Sequence, residues 1–239
     1  MNADISVIIP ARNDAKALRL TLDHLERLTG IETAEIIVAA SGDAEETEAA
    51  AGGRARILWP AASTRSALMN AGAAVARANV FFFLHADSFP PVNGLVEMQQ
   101  VLGDGTVIGG AFEHQFREPA LSLAVISRLN RMRYRLTRNF YGDQGIFVRA
   151  DIFRSINGFR ELFMEDLDLS QRLKRLGRMV LIPIPITTSG RRFLSCGPFR
   201  TFSFVLWLLF LHSLRLDTQR YAARWLTDGI CSLKTSGVE

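Results

Sequence analysis

Short apolar runs alternate along the chain with stretches in which leucine or alanine returns every three or four positions. Ile5 to Pro10, Glu35 to Ala39, Arg56 to Trp59 and Val80 to Leu84 have the length and the β-branched or aromatic content of buried strands. Between them, Asn13 to Leu28 sets Leu18, Leu22, Leu25 and Leu28 on one helical face, and Thr64 to Arg77 is rich in alanine around Leu68. Strands alternating with helices predict a parallel sheet. Beyond about residue 105 the alternation loosens. Val107 to Phe112, Gly145 to Val148 and Leu181 to Thr188 read as strands, and an arginine-rich helix runs from about Ala120 to Arg138, so the second half is α+β in character. Open parallel sheets bind ligands at the carboxyl ends of their strands, which places candidate chemistry just after Ile9, Ala39 and Leu84.

Thr201 to Leu214 carries no charge and is bounded by Arg200 and Arg215. As a helix it reaches only ~21 Å at 1.5 Å per residue, short of the about 30 Å of a bilayer core. It is therefore either a buried core or subunit-contact helix, which would make a homodimer, or a segment lying at a membrane surface. With 239 residues, 48% hydrophobic and 22% charged, the chain excludes long disorder, collagen and a disulfide-dense miniprotein. Met1 to Asp4 lacks the basic start of a signal peptide. Cys196 and Cys231 lie far apart and signal neither a zinc cage nor a disulfide framework, so a reducing cytosol is expected. The net charge of +4 suits phosphorylated ligands, an anionic membrane or nucleic acid. It is concentrated in Arg128, Arg131, Arg133, Arg135 and Arg138, and again from Arg172 to Arg178. Lacking a zinc site or an RNP-like aromatic strand beside these arginines, the chain is not expected to bind nucleic acid.

Four constellations can carry chemistry. His85-Ala86-Asp87 directly follows a strand; one carboxylate and one imidazole can hold Mg²⁺ or Mn²⁺ together with diphosphate oxygens, while the bland alternative is Asp87 capping the helix beyond Pro90-Pro91. Met164 to Leu169 opens a helix whose apolar face runs through Leu162, Leu169, Leu173 and Leu176. Asp166 falls on that face in the first turn, where it can act as a general base. Glu165 and Asp168 fit dipole complementation or ion pairing, Asp168 having Arg172 four residues on. Tyr141 to Gly145 sets Asp143 and Gln144 between glycines, as a tight turn also would. Gly190-Arg191-Arg192-Phe193 offers two arginines that either clamp a phosphate or sit solvated on the surface.

In this order the pieces resemble the family 2 glycosyltransferases, in particular small bacterial single-domain members. The resemblance covers about residues 4 to 195 and rests on Ile5 to Pro10 with Asn13-Asp14, Arg65 with Asn70-Ala71-Gly72, Phe83 to Asp87, Gly142 to Arg149, Gly158-Phe159 and Met164-Glu165-Asp166. The His-Ala-Asp motif, Gly-Asp-Gln-Gly and Arg191-Arg192 are together similar to a subgroup assigned to arsenosugar biosynthesis. The resemblance implies an α/β GT-A fold over residues 1–195, with a Rossmann-like nucleotide-binding half and a mixed central sheet, and a helical extension over 196–239. It implies inverting sugar transfer from a nucleotide-diphosphate donor, most commonly a UDP-sugar, to a lipid-linked or small acceptor, in the cytoplasm or peripherally on the inner membrane.

By position, Asp166 with Glu165 is implied to be catalytic, and Asp87 with His85 to hold a divalent metal, Mn²⁺ or Mg²⁺. The donor falls to Pro10, Ala11, Asn13, Ser41, Asp43, Arg65, Asn70, Ala86, Asp143, Gln144, Arg191 and Arg192. Two departures stand out: Ala39 occupies the place of the family's base-contacting aspartate, leaving Ser41 or Asp43 to take over, and His85 replaces the first aspartate of the metal motif. The alternatives are a sugar nucleotidyltransferase, for which Pro10-Ala-Arg-Asn13 lacks the usual glycine-rich loop, and a non-catalytic nucleotide-binding or membrane-associated protein.

Overall fold

The computed structural model describes residues 3–214, 216–221 and 225. Its first half alternates as the pattern predicts: β1 (Ile5–Arg12), α1 (Ala15–Leu25), β2 (Ala34–Ser41), α2 (Ala44–Ala51), β3 (Arg56–Leu58), α3 (Arg65–Val75) and β4 (Val80–Phe83). There follow α4 (Gly94–Leu102), β5 (Val107–Phe116), α5 (Leu121–Thr137), β6 (Ile146–Arg149), α6 (Ala150–Ser155), α7 (Glu165–Leu173), β7 (Arg178–Thr188), α8 (Arg191–Cys196) and α9 (Pro198–Ser213). The strands form one sheet in the order β3-β2-β1-β4-β6-β5-β7. β3, β2, β1 and β4 run parallel, whereas β6 is antiparallel to both β4 and β5, so the sheet is mixed.

The helices start where the sequence supplies caps. Asp14, Asp43 and Thr64 each accept a hydrogen bond from a first-turn amide of α1, α2 and α3. Leu18, Leu22, Leu25 and Leu28 are all buried, and each such leucine contributes about 1.5–3 kcal/mol. α3 lies so close to β1 that a Cβ on Gly72 would stand 2.5 Å from Ile8 Cγ2, which is why the helix carries glycine there.

The chain divides into two units, residues 1–114 with 137–188, and residues 115–136 with 189–239. α5 as far as Leu136 belongs with the C-terminal helices in the second unit. The core of the first unit joins Val7, Ile9, Leu18, Phe82, Phe112 and Phe147. In the second, Phe116, Leu123, Ile126 and Phe202 form a smaller cluster. α9 answers the question of Thr201 to Leu214 in two halves, burying Thr201, Phe202, Leu208 and Leu211 and exposing Leu206, Trp207, Phe210 and Leu214. Cys196, at the end of α8, is disulfide-bonded, where the sequence signalled no disulfide framework. Cys231, Arg215 and most of the extension beyond Tyr221 lie outside the described residues.

Candidate active site

The sheet itself assembles the site. Antiparallel pairing of Phe83 with Ile146 brings the segment before β6 to the carboxyl end of β4. There the turn Gly142–Gln144 meets the residues that follow β4. α3 and α7 add their first turns, and these elements enclose a small pocket of about 10 Å³, lined by Arg65, Met69, Phe83, His85, Gly142, Ile146, Phe159, Glu165 and Asp166.

Asp166 is the best-oriented carboxylate in this pocket. Its Oδ2 accepts the Gly142 amide at 2.6 Å and its Oδ1 accepts the Leu167 amide at 2.8 Å. A carboxylate has about four acceptor positions, so this leaves it further capacity for a substrate hydroxyl. Glu165, buried beside it, forms an ion pair with Arg65, and Arg65 Nη1 in turn donates toward His85 Nε2 at 3.4 Å. Asp168 pairs with Arg172 as the i,i+4 spacing predicts, at 2.7 Å, and also with Arg160.

Burial pushes the Asp166 carboxyl above the ordinary carboxylate range and the neighbouring Glu165 charge adds to this, against the opposing pull of Arg65 and of the two amides. Burial, reinforced by Arg65, holds the His85 imidazole neutral, its pKa lowered to about 3. A base must be ionised to act, so the raised pKa moves the acid limb of a pH–rate profile above the usual aspartate value of about 3.9. Glu165→Gln removes the like charge and frees Arg65 toward Asp166; both effects lower that pKa. The limb of kcat/KM is expected to move to lower pH in this variant, and an unmoved or raised limb contradicts the assignment.

His85, Ala86 and Asp87 follow β4 directly, as their place after the apolar run predicts. They form a turn closed by Ser88 N donating to His85 O at 3.1 Å, and Thr21 Oγ1 anchors it by donating to Ala86 O at 2.6 Å. The capping alternative for Asp87 is excluded, because α4 is preceded by Asn93. Asp87 offers the hard oxygen donor that a divalent cation prefers. The His85 Nε2, by contrast, faces the Arg65 guanidinium and packs against Gly142. Among the described residues no three His, Cys, Asp or Glu groups gather into a metal cage, so any cation here draws most of its ligands from substrate or water.

A second cluster lies at the ends of β1 and β2. Pro10 and Ala11 pair in register with Ala39 and Ala40. Asn13, at positive φ, accepts the Asp43 amide at 3.3 Å, while Asp43 itself caps α2 through Glu46 N at 2.9 Å. Ser41 Oγ is buried without a hydrogen-bond partner. Two of the expected donor-contacting residues also tie backbone segments together. Asn70 grips the Phe159 backbone with both amide atoms, at 2.8 and 2.9 Å, and Gln144 is buried between Tyr141 N and Phe112 O. Asp143 stays half exposed, 3.6 Å from His114 Nε2, which lies 2.7 Å from Thr188 Oγ1. Arg191 and Arg192 open α8 in the second unit, after Ser189 and Gly190, both of which donate to Glu118.

Sequence reasoning missed the Gly142 amide, which it read as part of a turn, and His114, a lone histidine in a strand that carries no local signal.

A mixed, mainly parallel sheet with polar side chains gathered at the carboxyl end of β4 defines the protein as α/β in class. The glycosyl transferase family 2 profile matches residues 6–162, and the chain belongs to that family. No curated protein matches it in sequence. Among solved structures, it is similar to the mannosyltransferase PcManGT from Pyrobaculum calidifontis in complex with GDP-Man and Mn2+. That match has a TM-score of 0.64 and 15% identity, over 84% of this chain and 62% of that one. S. aureus TarS 1-349 in complex with UDP matches at TM-score 0.61 and 12% identity, over 78% and 60%. Mannosyl-3-phosphoglycerate synthase from Rubrobacter xylanophilus matches at 0.56 and 16%, over 78% and 66%. The chain thus spans about three-fifths of the length of the first two, and the likeness establishes the GT-A fold.

Proposed function

We propose that the protein transfers a sugar from a nucleotide-diphosphate donor to an acceptor hydroxyl with inversion, Asp166 acting as general base. The observation that carries the reading is the Asp166 carboxylate, aimed by two backbone amides in a pocket at the carboxyl end of β4. Asp166 takes the proton of the acceptor hydroxyl, whose oxygen attacks the anomeric carbon as the bond to the diphosphate oxygen breaks on the opposite face. Arg65, held by Glu165, supplies positive charge beside the reacting groups. Glu165 is on this account a positioning residue. Asp87 would hold a divalent cation, Mn²⁺ or Mg²⁺, which would supply Lewis-acid neutralisation of the leaving charge.

The known ligands of similar structures include GDP-Man and UDP, so a nucleotide sugar is the donor class, and with Ala39 in place of a carboxylate the buried Ser41 hydroxyl is the group left to meet the base. Nothing in the geometry favours nucleotidyl transfer, since the segment after β1 has no glycine before Gly30.

A thermal-shift series with UDP, GDP, dTDP and CMP, each with and without Mn²⁺, tests the donor site. A nucleotide at a hundred times its Kd adds about 2.7 kcal/mol. One nucleotide is expected to stabilise the protein in a Mn²⁺-dependent manner, and Asp87→Ala to lose the metal-dependent part. Folded protein that answers to none of them, or an Asp87→Ala variant that responds like wild type, contradicts the donor site.

A further inference from the structure

Two helices of the second unit turn apolar residues outward. On α5, Leu121, Val125, Leu129, Met132 and Leu136 are exposed, Leu121 and Leu136 at 83% and 84%. Their spacing of four, four, three and four confines them to roughly 80° of the helix surface. Leu123 and Ile126, on another face, are the residues buried with Phe116 and Phe202. On α9 and its cap, Phe199, Leu206, Trp207, Phe210 and Leu214 are exposed, Phe199 and Phe210 at 56% and 53%. Scattered exposed leucines are ordinary. Two continuous stripes on neighbouring segments of one unit mark a contact surface.

The charges around the stripes say what that contact is. From Pro119 to Gly142 and from Ser189 to Leu216 the sequence has no aspartate or glutamate and nine arginines. Glu118, just before the first stretch, is spent on Ser189 and Gly190. On the helical wheel of α5, the exposed Arg128 and Arg135 border one edge of the stripe, while Arg133 at the other edge turns its Nε and Nη1 inward. A second copy pairing through α5 would bring these arginines together with no acid in either stretch to offset them. Nor does either helix cross a bilayer, for no helix among the described residues is long and apolar enough. Exposed aromatic residues such as Phe199, Trp207 and Phe210, with Arg200 beside Trp207 on the helical wheel, suit the interfacial zone, where amphipathic helices lie flat.

We propose that the second unit docks in the plane of an anionic lipid surface, α5 and α9 placing their apolar stripes at the acyl boundary and the bordering arginines among the headgroups. The inference uses no residue of the pocket and stands or falls separately from the sugar-transfer reading.

Flotation of the full chain with vesicles of phosphatidylcholine, and of phosphatidylcholine mixed with phosphatidylglycerol, tests it. The protein is expected to float with the anionic vesicles, to stay behind with phosphatidylcholine alone, and to be released progressively by salt. Arg128→Gln and Arg135→Gln are each expected to weaken partitioning roughly fivefold. The exposed pair Leu129→Gln with Met132→Gln is expected to remove most of it while circular dichroism and the melting temperature stay at wild-type values. Absence of the wild-type protein from the anionic vesicle fraction overturns the proposal, as does flotation indifferent to these substitutions. A dimer in light scattering that Leu129→Gln with Met132→Gln dissociates assigns the surface to a second copy instead, and equally overturns it.

Discussion

Asp166→Asn is expected to lower the transfer rate about 10²–10⁴-fold, the usual worth of a general base, while leaving nucleotide binding close to wild type. The substitution keeps the shape of the side chain and removes its basicity. It also turns one acceptor atom into an NH₂ group, which must then face either the Gly142 amide or the Leu167 amide, both of them donors. That mismatch costs about 1–3 kcal/mol, so a modest fall in melting temperature is expected with the loss of rate. Steady-state release of nucleoside diphosphate, run beside nucleotide-induced thermal shifts, separates the two effects. A variant that binds nucleotide and turns over within a few-fold of wild type removes Asp166 from the base role.

Gly142→Ala is expected to follow, with a loss of about 10²-fold and little change in fold. A Cβ at this position would lie 2.5 Å from His85 Nε2, 2.9 Å from His85 Cε1 and 3.2 Å from Asp166 Oδ2. These are the ends of side chains, and the backbone at Gly142 is outside the left-handed region, so the protein accommodates the methyl group by moving His85 and Asp166. Displacement of a catalytic group by about 1 Å costs about that hundredfold in rate. The melting temperature and the rate measured together check this. Unchanged turnover would show that the close packing of Gly142, His85 and Asp166 is dispensable.

Much of this fold was legible because it is written in local periodicity. The leucine spacing of α1, the apolar runs of β1, β2 and β4, and the capping Asp14, Asp43 and Thr64 lie within a few residues of what they determine. α2 was not read, since the acidic and alanine-rich Ala44–Ala51 shows little of the leucine stripe that marks α1, and α4 was foreseen only as a helix beyond Pro90-Pro91. β5 extends past Phe112 into Glu113, His114 and Gln115, a polar stretch that becomes strand through its neighbours in the sheet.

Within the site, Glu165 and Asp166 stood out by their place in a first helical turn. Their partners did not, because Arg65 is 100 residues from Glu165 and Gly142 is 24 from Asp166. Asn70 and Gln144 show the same limit. Their chemistry suits a ligand, and their amide groups also meet Phe159, Tyr141 and Phe112, which only tertiary structure reveals.

The central claim is that this pocket breaks the bond between a sugar and a nucleoside diphosphate with Asp166 as the base. Phosphorus NMR of the protein with UDP- and GDP-sugars and Mn²⁺, water serving as a slow acceptor, tests it most directly. The account predicts accumulation of a nucleoside diphosphate with wild-type protein and its near absence with Asp166→Asn. Appearance of pyrophosphate, or equal release by the two proteins, would contradict it.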